Sequence, residues 1–529
     1  MPSGMELAVS RITLVGLDGA AMPLIQDWSE RGQLPGFSRL FKEGGWGALR
    51  STVPPISPSA WTSIFTGVTP AKHGIFGFVK RRQDSYTPRP IGGMDARASP
   101  LWRLLSERRV KSAWVHIPFV YPPEPIEGVM ITGLGTPSKQ ADFVYPREIR
   151  TELLRKYPDF DVDFNEDQLE LSHNIAKSLP KIEKVTGASI EIFKDLRQDT
   201  SFQLVACVFR ELDVIQHFKI HELDALLPFY QGFDDLIQHC LQNKLPNEVL
   251  IVCSDHGFRE VKRRFHINNW LESLELLRMK RKTLLAKSGL KAETFQRILV
   301  QLGLKDLVWR IKRSSFSEKV LKILPSDDFN SGIDWTNTKA YYIGNEGGTV
   351  YLNRVNREPN GILNGGPESE PTITRIINSA REIKDPATGR YVVSRVCETA
   401  ELYKDCPKDA PDVLMVENEG YAFSGRYNYG RELFSDVDSR RGDHSMEGIL
   451  FMCGDFIAPK HIEDAAVWDV APTILSLLGI PIPDHFDGRV LEESFTGVSL
   501  LTTRDSSVRN NELDRISRKI KQLKGSGKV

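Results

Sequence analysis

The sequence predicts an α/β protein: a mostly parallel central sheet flanked by helices, with helical insertions capping it. Three observations point there. Short, almost wholly apolar runs recur along the chain, which suits strands covered on both faces better than half-exposed ones. Helical segments separate those runs, and strand–helix–strand connections favour parallel neighbours. Two long polar stretches, 136–200 and 259–333, interrupt the rhythm and read as insertions.

Taken in order, "ITLVGLD" (12–18) opens the sheet. "PPISPSAWTSIFTG", from Pro54, is a helix start: Pro54 and Pro55 keep the chain extended, Ser57 falls at the N-cap, and Pro58 suits the first turn. Trp61, Ile64 and Phe65 follow at helical spacing and Gly67 closes the helix. "KSAWVHI" (111–117), "GVMITG" (128–133), "FQLVACVF" (202–209) and "EVLIVCSD" (248–255) read as buried strands. "TVYLN" (349–353), "DVLMVE" (412–417) and "ILFMCG" (449–454) join them, and the amphipathic "VWDVAPTILSLLGI" (467–480) closes the core. The core is thus discontinuous, 11–258 and 334–500. Within it, 136–200 reads as a polar helical cap segment with no strand. The insertion at 259–333 reads as helical and basic, with Lys262, Arg263, Arg264, Lys280, Arg281, Lys282, Arg310, Lys312 and Arg313. That charge run is either a solvated face or a rim that attracts an anionic substrate. In the charged tail, 501–529, Leu513, Ile516, Ile520 and Leu523 share one helical face. The tail docks on the body or frays, and a membrane-surface helix is the alternative.

Composition narrows the function. Of 529 residues, 40% are hydrophobic and 26% charged, the balance of an ordinary globular chain. Sixty-nine basic and sixty-nine acidic residues cancel, so there is no global field for nucleic acid. No apolar run reaches the ~18 residues needed to cross a bilayer. The N-terminus lacks a basic start followed by an apolar core, so no secretory signal is expected. Six cysteines without a CxxC pair suit a reducing compartment, and the expected setting is the cytosol.

In open α/β sheets, ligands bind at the carboxyl ends of strands. Asp18 ends the first strand; Asp213 follows the 202–209 run, with His217 four residues on; Asp255 and His256 end the 248–255 run; Asp443 and His444 precede 449–454. Each has a plain structural reading as a turn, a helix cap or an ordinary histidine. Taken together, Asp18, Asp213, Asp255, His217, His256 and His444 are the donor supply of a two-metal site, and carboxylate with imidazole suits zinc or manganese. Two ions would supply what a serine at a helix start lacks, a depressed hydroxyl pKa. Ser57 is then cap and nucleophile. Ser59, about 200° further round the helix, is the weaker candidate.

The pieces "VGLDGA", "PPISPSAWTSIFTGVTPAKHGIFGF", "ELDVIQH", "CSDHGF" and "GDHSMEG" resemble, in order, motifs of the alkaline phosphatase superfamily. Within it they are most similar to the type I phosphodiesterase/nucleotide pyrophosphatase group, among members described as predicted phosphohydrolases or phosphomutases. The resemblance spans roughly residues 11–80, 202–260 and 335–490. It implies an alkaline phosphatase-like fold, one divalent ion held by Asp213, His217 and His444, and a second held by Asp18, Asp255 and His256 with Ser57 bridging toward it. The family's nucleophile lies ten residues before the Gly of a "TG" pair, and counting back from Gly67 gives Ser57. Two departures stand out. Pro58-Ser59-Ala60 replaces the Phe-Pro-Asn that helps nucleotide pyrophosphatases bind the phosphoryl oxygen, which speaks against a nucleotide substrate. The Cys/Ser-x-Pro-x-Arg pattern of sulfatases is not met, which speaks against sulfate esters.

The leading expectation is a metal-dependent hydrolase of small-molecule phosphomono- or diesters, acting through a phosphoserine. A phosphotransferase or mutase with the same site is the alternative, and a non-catalytic binder or scaffold the third. No motif names the substrate or its contacts, and the oligomeric state is not legible. Lys80, Arg81 and Arg82 read as a solvated loop or a distal anion contact, and His73 as a structural turn histidine.

Overall fold

In chain order the strands that position the site are β1 (Arg11–Leu17), β2 (Gly45–Arg50), β3 (Ser112–Ile117), β4 (Gly128–Thr132), β5 (Val144–Tyr145), β6 (Leu204–Phe209), β7 (Glu248–Cys253) and β8 (Gly257–His266). They continue with β9 (Ala340–Tyr342), β10 (Gly348–Leu352), β11 (Val393–Glu398), β12 (Val413–Glu417), β13 (Gly420–Ser424), β14 (Phe434–Asp436), β15 (Gly442–Ser445) and β16 (Glu447–Cys453). The helices are α1 (Met22–Glu30), α2 (Pro35–Glu43), α3 (Ser57–Thr66), α4 (Leu101–Glu107), α5 (Leu179–Gln198), α6 (Glu211–Lys219), α7 (Leu223–Gln242), α8 (Ile267–Ser273), α9 (Glu370–Arg381) and α10 (Val470–Leu477). The structure, a computed structural model, describes residues 5–6, 9–82, 84–164, 175–280, 332–344, 347–425, 427, 430–437 and 439–506.

Eight strands form the central sheet in the order β2-β16-β7-β1-β6-β3-β4-β5. From β7 to β4 every neighbour is parallel. The antiparallel pairs lie outside that block, where β16 joins β7 to β2 and β5 closes the other edge. The fold is therefore the mostly parallel α/β sheet that the sequence predicts. Alternate residues of the same strands feed opposite faces, as the pleat requires. On one face Val15, Leu17, Val205, Cys207 and Val252 pack with Ile25, Phe37, Phe193 and Phe233 from α1, α2, α5 and α7. On the other Ile12, Leu14, Ala206, Val208 and Ile251 pack with Ile64, Leu105 and Ile474 from α3, α4 and α10.

A second region has its own core. Strands β9, β10, β12 and β11 form an antiparallel sheet in that order, and β8 runs between β13 and β14 while also pairing with β15. Phe265, Trp270, Tyr341, Val350, Ile376 and Met415 belong to one buried cluster there. This corrects three expectations. The 349–353 and 412–417 runs are strands, but of this second sheet; a short apolar run does not say which sheet it joins. Residues 259–266 are strand, not helix. Their arginines and lysines mask a buried set of Phe258, Val261 and Phe265, thrown out of strict alternation by a bulge between Val261 and Arg263. In 136–200, β5 is a strand, and α5 packs Ile182, Val185, Ile192 and Phe193 into the main core and so is no cap. Arg281, Lys282, Arg310, Lys312 and Arg313 lie outside the described residues, as do Leu513, Ile516, Ile520 and Leu523 of the tail. No helix among the described residues is long and apolar enough to cross a membrane.

Candidate active site

Strand β1 ends in Asp18, and Gly19 turns the chain there with φ +71°. A side chain at Gly19 would be strained in that conformation and would press on Phe258 and Asp213, so glycine lets the two aspartates approach. The turn is braced from α6: Gln216 Nε2 donates to Gly19 O at 2.8 Å, and Tyr230 OH donates to Gln216 Oε1 at 2.8 Å. Asp213 lies in the first turn of α6 and His217 one turn later, on the same helix face. Asp255 and His256 leave the end of β7. The strand β15 then pairs with β8 so that His444 stands opposite Phe258. The six aspartates and histidines are at least 95% buried: the most exposed of them, His444, is at 5%.

The donors gather in two clusters. In Asp213, His217 and His444 the candidate ligand atoms all lie within 4.8 Å of one another, and the same holds for Asp18, Asp255 and His256. The clusters touch, because the His256 and His444 rings stack at 3.9 Å between centroids. Asp213 Oδ1 lies 3.2 Å from His444 Nε2 and 3.4 Å from His217 Nε2. His256 Nε2 lies 3.2 Å from Asp255 Oδ2 and 3.5 Å from Asp18 Oδ1. His217 Nδ1 lies 2.9 Å from Gly442 O and His256 Nδ1 3.0 Å from Gly257 O. A carbonyl only accepts, so each Nδ1 carries the proton and each Nε2 turns a lone pair to its cluster.

Ser57 faces the second cluster. Its Oγ is 3.3 Å from Asp18 Oδ1 and 3.2 Å from His256 Nε2. It is not the helix cap expected: Ile56 holds the N-cap position, with extended backbone at φ −131°, and Ser57 is the first helical residue. Its hydroxyl is drawn to Asp18 and away from the backbone. Four residues on, Trp61 Nε1 donates to Asp18 Oδ2 at 3.0 Å. Trp61 itself lies against Gly16, where any Cβ would meet the indole at 2.5 Å. Ser59 Oγ donates to Ile75 O at 3.0 Å, on another side of α3. His73 is buried beneath the same helix, with Nε2 3.0 Å from Ser63 Oγ and Nδ1 accepting from the Ile75 N–H at 3.1 Å.

The electrostatics are those of crowded, buried carboxylates. Burial and the charges of Asp255 and Asp213 hold the Asp18 carboxyl well above its usual range. Burial and Asp213 push Asp255 up to about 7. Burial and the neighbouring His444 push His256 down to about 4. Burial alone would raise Asp213 as well, but His217 and His444 hold it well below the ordinary value. Asp255 Oδ2 accepts no hydrogen bond although it is buried. Bare imidazole nitrogens, a buried carboxylate oxygen without a donor and carboxylates that repel one another fit divalent cations.

Sequence reasoning passed over three contributors. Trp61 reads as a core residue, though its position one turn after Ser57 was the signal. Gln216, beside His217, braces Gly19. Arg440 sits in the loop before β15, with Nη2 2.7 Å from His217 Nε2. Of the loop cations read as a solvated loop or a distal anion contact, Lys80 pairs with Asp409 at 3.3 Å and Arg81 with Glu358 at 2.8 Å.

The family described as Type I phosphodiesterase / nucleotide pyrophosphatase matches residues 12–447. Among solved structures, phosphonoacetate hydrolase from Sinorhizobium meliloti 1021 superposes with a TM-score of 0.53 at 13% identity, over 89% of this chain and 98% of that one. Human ectonucleotide pyrophosphatase / phosphodiesterase 5 superposes with a TM-score of 0.50 at 12% identity, over 92% of this chain and 100% of that one. These likenesses concern the fold. No curated protein matches the sequence significantly.

Proposed function

The chain belongs to the type I phosphodiesterase/nucleotide pyrophosphatase family, and from that premise we propose that it hydrolyses a small-molecule phosphoester through a phosphoserine formed on Ser57, with two divalent ions. The observation that carries the reading is the place of Ser57 Oγ, at the start of α3 and 3.3 Å from Asp18 Oδ1 and 3.2 Å from His256 Nε2.

Asp213, His217 and His444 would hold one ion, and Asp18, Asp255 and His256 the other. Such ions depress the pKa of a neighbouring hydroxyl and neutralise charge on phosphoryl oxygens. The protein's own groups do the rest. The amino end of α3 is partially positive, which favours an anion beside Ser57. Trp61 fixes Asp18 through Oδ2 and so leaves Oδ1 turned to the serine. Ser57 forms the P–Oγ bond as the bond from phosphorus to the ester oxygen breaks, and that oxygen departs with the electron pair and takes up the proton the serine gives up. Water then attacks phosphorus, the P–Oγ bond breaks, and the serine recovers its hydroxyl.

The test is a rapid acid quench of protein reloaded with zinc or manganese and mixed with bis(p-nitrophenyl) phosphate. Elemental analysis should approach about two equivalents of ion, and the peptide bearing Ser57 should carry phosphate. Ser57→Ala should keep the ions and lose nearly all turnover. Turnover by Ser57→Ala at the parent rate, with no trapped phosphoserine, would leave a water molecule as the attacking group and end the reading.

A further inference from the structure

The hydrolytic scheme leaves one side chain of the site without a role. Arg440 Nη2 lies 2.7 Å from His217 Nε2, and His217 Nδ1 already gives its proton to Gly442 O. A guanidinium has no acceptor, so Arg440 donates to the Nε2 lone pair. That lone pair is the one His217 would share with Asp213 and His444 around an ion. It cannot serve a guanidinium N–H and a divalent cation together. The backbone at and just after Arg440 is pinned: Arg440 O accepts from Arg264 Nη2 at 3.0 Å, and Arg441 O accepts from the Val261 N–H at 2.7 Å. An exchange at His217 therefore moves the side chain and leaves the loop in place. The guanidinium stays tethered at the rim of the cluster, and its planar fork matches phosphate oxygens in a bidentate way.

We propose that Arg440 exchanges between two partners: it holds His217 Nε2 in the ion-free protein, and once an ion takes that nitrogen it binds the anionic oxygens of the phosphoester. The inference rests on the hydrolytic reading above and deepens it, naming a substrate-binding residue that no motif supplies. It also accounts for the missing Phe-Pro-Asn element: Arg440 brings the phosphoryl contact from the opposite end of the chain.

Zinc titration calorimetry of the ion-free full-length protein tests the first half, with His217→Ala as the reference that loses this cluster. Arg440→Gln should bind the ion at Asp213, His217 and His444 about tenfold more tightly than the parent, because one charge-assisted hydrogen bond no longer competes. Steady-state hydrolysis of bis(p-nitrophenyl) phosphate by the loaded protein tests the second half. Arg440→Gln should raise KM at least about tenfold while kcat changes less, and Arg440→Lys, which keeps the charge but not the fork, should recover part of that loss. Weaker zinc binding by Arg440→Gln would mean that the arginine only props the imidazole. Unchanged zinc binding would mean that it does not compete, and an unchanged KM that it does not meet substrate; each of these overturns the assignment alone. A parent chain that binds no zinc would overturn the two-ion reading along with it, before any Arg440 variant is compared.

Discussion

At the scale of the residue, His73 shows how a buried group turns pH into stability. Burial pushes its imidazole down to about 3 from the ordinary 6.5. Below pH 6.5 the unfolded chain takes up a proton that the folded chain refuses. The contribution is complete above that value and is lost as pH falls toward 3, with a ceiling on the order of a few kcal/mol. Urea midpoints between pH 7 and 4.5 should fall for the parent, and fall less steeply for His73→Asn, which keeps an acceptor near Ile75 but cannot be protonated. Parallel slopes would show that His73 carries none of the effect. The candidate ligand residues that the structure gathers in two clusters were legible because most stand at or near the end of an apolar run, His217 one helical turn after Asp213. Ser57 was half legible. Its place at the helix start followed from the sequence, but the expected cap role is overturned, because a nearby carboxylate and imidazole draw its hydroxyl away from the backbone. Arg440 was not legible, since a charged residue in a loop carries no period and its partner lies 223 positions away.

At the scale of the element, the pairing of β8 is the least predictable feature and the most consequential. It begins at the site, opposite β15, and ends between β13 and β14 in the second region. The 79–81 segment makes a second tie. Arg81 Nη1 bonds Glu358 Oε1 at 2.8 Å, and its guanidinium lies 5.0 Å from the centre of the Tyr351 ring. Arg81 has 8% of its side chain exposed, so it is not solvated as the exposed Arg82 beside it is. Arg81→Ala would leave Glu358 to Arg357 and Tyr341, which contact it at 2.8 and 3.0 Å. The expected cost is therefore about 2 kcal/mol, below the loss of a solitary buried pair. Chemical denaturation reads this directly, and an unshifted midpoint would return Arg81 to the surface. Strands β1, β3, β6 and β7 were legible as continuous apolar runs. Strand β2 was missed because Gly45 and Gly47 break its run, and close packing demands the second: a Cβ on Gly47 would sit 2.2 Å from Ile462 O.

At the scale of the whole molecule, the sequence showed an α/β body and which of its ends bears the site. It did not show that the residues after 257 build a second sheet, because that sheet is assembled from short strands whose partners are distant in sequence. The central sheet holds a further consequence. Strand β16 lies between β7 and β2, so two strands made early wait for one made late. His444 arrives with the same late segment. A ribosome delivers the chain in one direction, and domains fold as they emerge. Until residue 453 has left the exit tunnel, β7 presents an open edge, the kind of surface that recruits other strands. Nascent chains stalled with 440 residues exposed should therefore be cut readily by protease where chains stalled beyond 480 resist, and should retain zinc poorly because the cluster of Asp213 and His217 lacks His444. Equal resistance of the two would show that the early strands settle without β16. Translation thus acts as a clock on this protein: the candidate cluster of Asp213 and His217 cannot be complete until His444 has emerged, and a product terminated before that residue is born with it unfinished.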